Sequence, residues 1–329
     1  MGASSSKAIV PSDAVVVITG CDSGFGRMLA LQLAGKGLQV LAGCLTSAGQ
    51  AGLKDDITTR GISEKSLRTF SLDVTSEVDA KKCAELVESL GGKLFALVNN
   101  AGIAEGGLVE ACPIEAYKRI FEVNTLGPVR MSRHLLPHLR NFSTAHLDLP
   151  PPRIIMVSSL AGILAGGGLA AYCASKAALE SISDTLRREL VRFSHRVSVS
   201  IIEPSYANTP IVTPAHSVTP EQAVEKFKAG TVPELTARVV RDYGGEARIR
   251  WKSQKDKEFS LLPAQTVVDV IADHVTRPDP PIRTMVALPR DRRGVALLLR
   301  LPDRTVDWLI AELPGRAEAE EFRKAVGGQ

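Results

Sequence analysis

The chain has no run of 18 or more apolar residues and no short apolar segment behind a basic start, so neither a membrane-spanning helix nor a secretory leader is expected. Aromatic residues are sparse, 5% of 329, and the net charge is only +4, with basic residues spread among acidic ones rather than interleaved with aromatics along a stripe. Nucleic acid is therefore not an expected partner. No C-x-x-C pair occurs, and the five cysteines (Cys21, Cys44, Cys83, Cys112, Cys173) are an odd number. That argues against a disulfide framework and for reduced thiols in a cytoplasmic setting. A metal site is not expected either: His134 and His138 stand at i,i+4, but Pro137 lies between them and no acidic or thiol partner is near in sequence. One more gap is of charge, for no Arg or Lys falls between Lys36 and Lys54.

What is present starts with Val15 to Ile18, an unbroken β-branched run that ends in Thr19-Gly20-Cys21-Asp22-Ser23-Gly24-Phe25-Gly26. The run predicts a buried parallel strand feeding a glycine turn. Helix-compatible apolar positions follow to Gly35, and Leu38 to Ala42 returns as a second strand. In such a βαβ unit the glycines let the backbone approach a pyrophosphate, and the helix N-terminus behind them offers unpaired amides and a favourable dipole. Farther on, Tyr172 and Lys176 stand at i,i+4, with Ser159 thirteen residues before Tyr172. On a helix that spacing puts phenol and ammonium on one face. A free phenol has a pKa of about 10; a fixed ammonium nearby favours the phenolate, which makes proton exchange with an alcohol feasible. Tyr and Lys at this spacing also occur as an ordinary surface pair, and the neighbouring motifs decide between the two.

The ordered set Thr19-Gly-x-x-x-Gly-x-Gly26, Asn99-Asn-Ala-Gly102, Asn124, Ser159 and Tyr172-x-x-x-Lys176 resembles the short-chain dehydrogenase/reductase family over roughly residues 13 to 275. Val40 to Thr46, Leu97 to Ile103, Leu186 to Leu190 and Ile202 to Pro204 are worded most like its retinol and hydroxysteroid dehydrogenase branch, and D-3-hydroxybutyrate dehydrogenases share much of that wording. The resemblance implies one α/β domain of doubly wound Rossmann type with a parallel sheet, a substrate lobe at about 206–262, and homo-oligomers formed through the helices that contain Arg130 and Lys176. It also implies roles. Tyr172 exchanges the hydroxyl proton, Lys176 tunes Tyr172 and meets the nicotinamide ribose, Ser159 holds the substrate oxygen, and Asn124 props a water relay. Asp73 would meet an adenine amine, and the turn with Asn99 and Ala101 would flank the adenosine half. Pro204 and Thr209 would lie by the nicotinamide, although Ser205 stands where the family pattern has Gly, so the local backbone there departs from it.

In family spacing the acidic slot that selects NAD falls on Cys44 and the basic slot that selects NADP falls on Leu45, so neither charge is present. Asp22 would repel a 2′-phosphate and the Lys36–Lys54 stretch offers it no cation, so NAD is favoured over NADP. The expected activity is oxidation of a retinol-like or hydroxysteroid-like alcohol. A hydroxy acid such as 3-hydroxybutyrate is the alternative, with Lys226, Arg238 and Arg241 available to a carboxylate; a nucleotide-binding regulatory protein of little turnover is another.

Three segments stand outside this core reading. Residues 1–12 form a tail in which Gly2, with Ser6 and Lys7, matches the N-myristoylation pattern; a disordered small-residue tail reads the same. Asn141 to Pro152, with three consecutive prolines, predicts a surface loop. Residues 276–329 form a C-terminal helical segment, where Gly294 to Leu299 and Val306 to Ala311 are apolar beside Arg290, Arg292, Arg293, Arg300 and Arg304. It suits either a membrane interface, so that the protein would be cytoplasmic and peripheral on a membrane, or a cover over a lipophilic pocket.

Overall fold

Every residue of Val15–Thr19 (β1) is β-branched and buried. A strand covered on both faces has to lie inside a sheet sandwiched by helices. A computed structural model, which describes residues 10–11, 13–211, 219–242, 244–256, 261–309, 317–318 and 320–322, places it there. The other strands are β2 (Gln39–Cys44), β3 (Leu67–Ser71), β4 (Leu94–Asn99), β5 (Arg153–Val157), β6 (Ser198–Pro204) and β7 (Arg283–Val286). All pairings are parallel, in the order β3-β2-β1-β4-β5-β6-β7. The winding reverses between β1 and β4, and a crevice opens at their carboxyl ends.

The helices in chain order are α1 (Gly24–Gly35), α2 (Ser47–Thr59), α3 (Glu77–Ser89), α4 (Ile114–Phe121), α5 (Gly127–Ala145) and α6 (Ala170–Arg192). Beyond β6 come α7 (Pro220–Ala229), α8 (Thr236–Asp242), α9 (Gly245–Asp256), α10 (Ala264–Thr276), α11 (Pro289–Leu298) and α12 (Asp303–Asp307). One sheet face packs against α1, α2 and α10 through residues such as Leu29, Leu53 and Ile271. The other packs against α3, α5 and α6 through Val87, Leu135 and Leu179. Each such side chain contributes about 1.5–3 kcal/mol by leaving water. The result is the doubly wound α/β fold expected from the sequence.

Helix α4 passes through a π-helical turn, Glu122–Leu126, into α5. Two elements differ from the sequence expectation. The loop expected from Asn141 starts only after Ala145, because burial carries α5 onward. Phe142 packs edge-on against Phe95 at 5.6 Å and the Ser143 hydroxyl donates to the Arg196 carbonyl at 2.8 Å. The sheet also reaches past residue 275, since β7 pairs with Ile201–Pro204 of β6. Four residues with an exposed Arg283 are too short to carry a strand pattern in sequence. The tail with Gly2, most of residues 1–12 and residues 212–218 lie outside the described residues.

Candidate active site

The crevice holds a cavity of about 390 Å³ lined by the turn after β1, the ends of β3 to β6, and α6. At the glycine turn the walls are backbone. Gly20 has φ +70°, and a Cβ there would stand 2.8 Å from the Ala101 Cα; a Cβ on Gly26 would stand 2.3 Å from the Gly20 carbonyl oxygen. Gly24 (φ +57°) faces Thr209, whose side chain would be 3.7 Å from an added Cβ. Ser23, the N-cap of α1, makes no side-chain cap bond, and no acid stands in the first turn of α1. The helix therefore presents its amides to the cavity as an anion seat.

Thr19 fixes the turn to β4: its Oγ1 accepts from the amides of Asn100 (3.0 Å) and Ala101 (2.9 Å). Asn100 returns two bonds through Nδ2, to the carbonyls of Thr19 (2.9 Å) and Gly20 (3.1 Å). Asp22 is committed as well. Its Oδ2 accepts from the Leu45 amide at 2.8 Å, and its Oδ1 from the Thr46 amide and hydroxyl at 2.8 and 2.7 Å. The carboxylate thus fills the bend after β2. Nearby Arg27 is drawn off to Asp56 (2.7 Å) and the Gly52 carbonyl (2.6 Å). Among the described residues, Lys176 is the only cation in the lining.

At the other end, β5 delivers Ser159 and α6 delivers Tyr172 and Lys176. The Ser159 hydroxyl stands near enough to the Tyr172 phenol to lower it, accepts from the Ala161 amide (3.1 Å) and donates to the Pro204 carbonyl at 3.4 Å. Lys176 is buried, and its Nζ donates to the Val157 carbonyl at 2.8 Å, 5.9 Å from the centre of the Tyr172 ring. Burial pulls its ammonium down to about 8, with the Glu180 charge opposing. For Tyr172 burial is again the largest influence and raises the phenol, while the Ser159 hydroxyl lowers it. The phenol thus lies above its ordinary value, and the Lys176 ammonium donates to the Val157 carbonyl rather than to the phenol. Asn124 sits fully buried in the π turn. Its Oδ1 accepts from the Ile103 amide (2.9 Å), and its Nδ2 donates to the Ile103 carbonyl (2.9 Å) and Ser175 Oγ (3.1 Å). An extra residue in a helix to aim one side chain is a common use of such a turn.

Of the residues singled out from sequence, Gly20, Asp22, Ser23, Gly24, Phe25, Asp73, Ala101, Ser159, Tyr172, Lys176, Pro204 and Thr209 line the cavity. Thr19, Gly26, Cys44, Asn99 and Asn124 stand behind its wall. Asn99 points away from the cavity, with Nδ2 on Ser132 Oγ and Met156 Sδ at 3.3 Å each. Its neighbour Asn100 takes the lining position, as strand alternation at the end of β4 requires. Leu45, read from sequence as the uncharged basic slot, also lines the cavity, and Asn100, Ile103 and Thr46 are lining residues to which the sequence reading gave no role. Ser205 keeps an ordinary backbone, with no positive φ, and its amide donates to the Val286 carbonyl at 2.8 Å; glycine is not needed there. Cys173 is a buried packing residue, and no group of His, Cys, Asp and Glu among the described residues could hold a metal.

The family model described as short chain dehydrogenase matches residues 14–219. The chain belongs to the short-chain dehydrogenase family. As a member it is an oxidoreductase of CH–OH groups. It is 41% identical over 210 residues to mouse retinol dehydrogenase 5, a match that covers 62% of the chain and 60% of that protein. The human retinol dehydrogenase 5 is 35% identical over 275 residues, 82% of this chain and 78% of the relative. Mouse mitochondrial D-beta-hydroxybutyrate dehydrogenase is 37% identical over 245 residues, covering 73% and 66%. A solved short-chain dehydrogenase/reductase from Burkholderia phymatum in complex with NAD shares the fold at a TM-score of 0.66 and 21% identity, covering 86% of this chain and 92% of that one. The family uses NAD or NADP. The side-chain-free cradle at Gly20 and Gly26 and the uncapped start of α1 fit the pyrophosphate of such a dinucleotide.

Proposed function

We propose that the chain is an NAD-dependent dehydrogenase that oxidises a lipophilic, retinol-like or hydroxysteroid-like alcohol. The observation that carries the reading is one cavity with a phosphate cradle at one end and Ser159, Tyr172 and buried Lys176 together in the lining at the other. A bound oxidised nicotinamide supplies the hydride acceptor. Ser159 orients the alcohol oxygen beside Tyr172, and Tyr172 in its phenolate form takes the alcohol proton as general base, becoming the neutral phenol. Lys176 is the fixed positive charge of the pocket. Asn124 braces the Ile103 loop and Ser175 on either side of that charge.

The choice of NAD rests on Asp22, whose carboxylate lies against Leu45 and Thr46, while among the described residues the one cation in the lining, Lys176, stands at the Tyr172 end and not by this bend. A lipophilic substrate is favoured by Phe25, Ile103, Val123, Ala207 and Ile211 in the walls. A hydroxy acid would need a second cation. Arg238 is instead engaged with Glu110 and Asp242, and Arg241 with Asp242.

Peripheral membrane contact is part of the proposal. No helix among the described residues is long and apolar enough to cross a membrane, whereas Leu297, Leu299 and Trp308 are exposed beside Arg292, Arg293, Arg300 and Arg304. A homo-oligomer pairing through α5 and α6 completes it; Leu126 and Val129, at the start of α5, are exposed.

The test is reduced-cofactor formation with NAD or NADP against retinol, a 3α- or 17β-hydroxysteroid and 3-hydroxybutyrate, with Tyr172→Phe as control. Turnover of a lipophilic alcohol with NAD is expected. Activity on the hydroxy acid alone would overturn the substrate class, and NAD binding without turnover of any alcohol would favour a regulatory nucleotide-binding protein.

A further inference from the structure

One and two turns beyond Lys176, on the same face of α6, stand Glu180 and Asp184. Glu180 is 7% exposed. Its Oε2 accepts from Arg283 Nε of β7 at 3.2 Å, while its Oε1 is buried without a hydrogen-bond partner. The same guanidinium reaches Asp184 Oδ2 at 3.1 Å and Glu203 Oε1, on β6, at 3.4 Å. Asp184 also has Arg187 and Arg188 beside it, at 3.2 and 3.4 Å. The charged groups facing Glu180 are therefore Lys176 and Asp184 from its own helix, Glu203 from β6 and Arg283 from β7.

Among the described residues, Arg283 is the cation that pairs with both Glu180 and Glu203, so two buried carboxyls share one guanidinium that Asp184 also reaches. Both cannot ionise cheaply, since a buried carboxylate without a full set of partners is costly. The proton falls to Glu203, whose carboxyl burial and the Glu180 charge push up to about 7. Glu180 is paired with Arg283 at 3.2 Å, and one turn back along α6 the cation that gains by its carboxylate is Lys176. Burial works against that ammonium, Glu180 works for it, and an ammonium that shed its proton at working pH would leave Tyr172 without a fixed positive charge nearby.

We propose that Glu180, anchored by Arg283, is a positioning residue for the reaction that holds Lys176 in its charged form across the working pH range. This rests on the reading of Lys176 as the fixed charge that serves Tyr172. Such a role explains why an acid with an unpartnered oxygen is kept in the interior behind the site, where an amide of the same shape would cost less.

The deciding measurement is the titration of Lys176 in the full chain without cofactor, followed by the ¹³Cε shift of ¹³C-lysine-labelled protein and assigned with Lys176→Met. In wild type the midpoint is expected near the value of about 8 that its surroundings set. In Glu180→Gln it should fall by about one unit, a tenfold change, as removal of a nearby opposite charge predicts. Glu180→Asp, which keeps the charge and withdraws it by one methylene, should lie between the two. A folded Glu180→Gln with an unmoved Lys176 midpoint overturns the proposal.

A second measurement needs no substitution: ¹³C-glutamate labelling of wild type should find Glu203 titrating within the neutral range. A Glu203 that shows no titration there overturns the proposal as well. With an active alcohol, the alkaline limb of kcat should move down with the Lys176 midpoint while KM for the alcohol stays put. Should wild type turn over no alcohol, the two titrations still decide the role of Glu180, and only the dehydrogenase reading falls.

Discussion

The two ends of the cavity are built from opposite materials. The glycine-turn end is shaped by missing side chains: Gly20 and Gly26 let β1, the turn and the Ala101 segment touch backbone to backbone. The Tyr172 end is shaped by buried side chains that carry protons, with Ser159, Tyr172, Lys176 and, behind them, Glu180 and Glu203 in contact or in electrostatic reach. The first end should tolerate changes of charge and fail on changes of size. The second should tolerate isosteric changes in folding and fail in chemistry.

The largest effect expected is that of Tyr172→Phe, which removes one oxygen from the charged end and leaves its volume. Turnover should fall by roughly 10³-fold, the range for loss of a general acid or base, while NAD binding, measured by fluorescence titration, stays within about twofold of wild type. A parallel loss of binding would mean that the two ends are not separable.

Next is Gly26→Ala, which adds a methyl where 2.3 Å separates the new atom from the Gly20 carbonyl oxygen. It should cost about 1–3 kcal/mol of stability by overpacking, read in thermal or urea unfolding, and weaken dinucleotide binding in step. An unaffected protein would show that the turn has slack.

Glu203→Gln sharpens the comparison through pH. A carboxyl raised from 4.5 to about 7 in the folded state leaves the unfolded chain binding fewer protons between those two values. Wild-type stability should therefore fall as pH rises from 4.5 to 7 and stay lowered above. The amide variant escapes that penalty, so it should be more stable than wild type by roughly 2 kcal/mol at pH 8 and equal to it near pH 4.5. Urea unfolding at both pH values checks this, and a constant difference across pH would remove the surplus-proton account.

The smallest effect is at the cofactor end. Leu45 is 61% exposed beside the Asp22-filled bend, so Leu45→Arg should raise relative use of NADP over NAD by about fivefold, the scale of an exposed ion pair. No change in the ratio of kcat/KM values would move the origin of cofactor choice away from this bend.

The sequence carried much of this to the reader because its signals are local. A β-branched run with glycines after it, or Tyr and Lys four apart, fixes strand, turn and helix face within a few residues. That is why β1, α1, α6 and the lining positions of Ser159, Tyr172 and Lys176 were legible. The Asn99–Asn100 pair was legible as a motif, yet which of the two reaches the cavity depends on the pleat of β4. The helical extension to Ala145 depends on Phe142 finding Phe95, and β7 on a partner strand far away in the chain.

By itself, then, the sequence determined the first strand, the glycine turn and the shared helix face of Tyr172 and Lys176, since each follows from backbone preferences and spacings that hold over a turn or a strand; the winding of the sheet and the proposed catalytic set followed from the family resemblance of those motifs. Only the tertiary structure decided the protonation landscape. It brought Glu203 and Arg283 to Glu180, withdrew Lys176 from water and turned its ammonium to the Val157 carbonyl. Charges and burial act through space, and no spacing along the chain records which carboxyls will share one guanidinium.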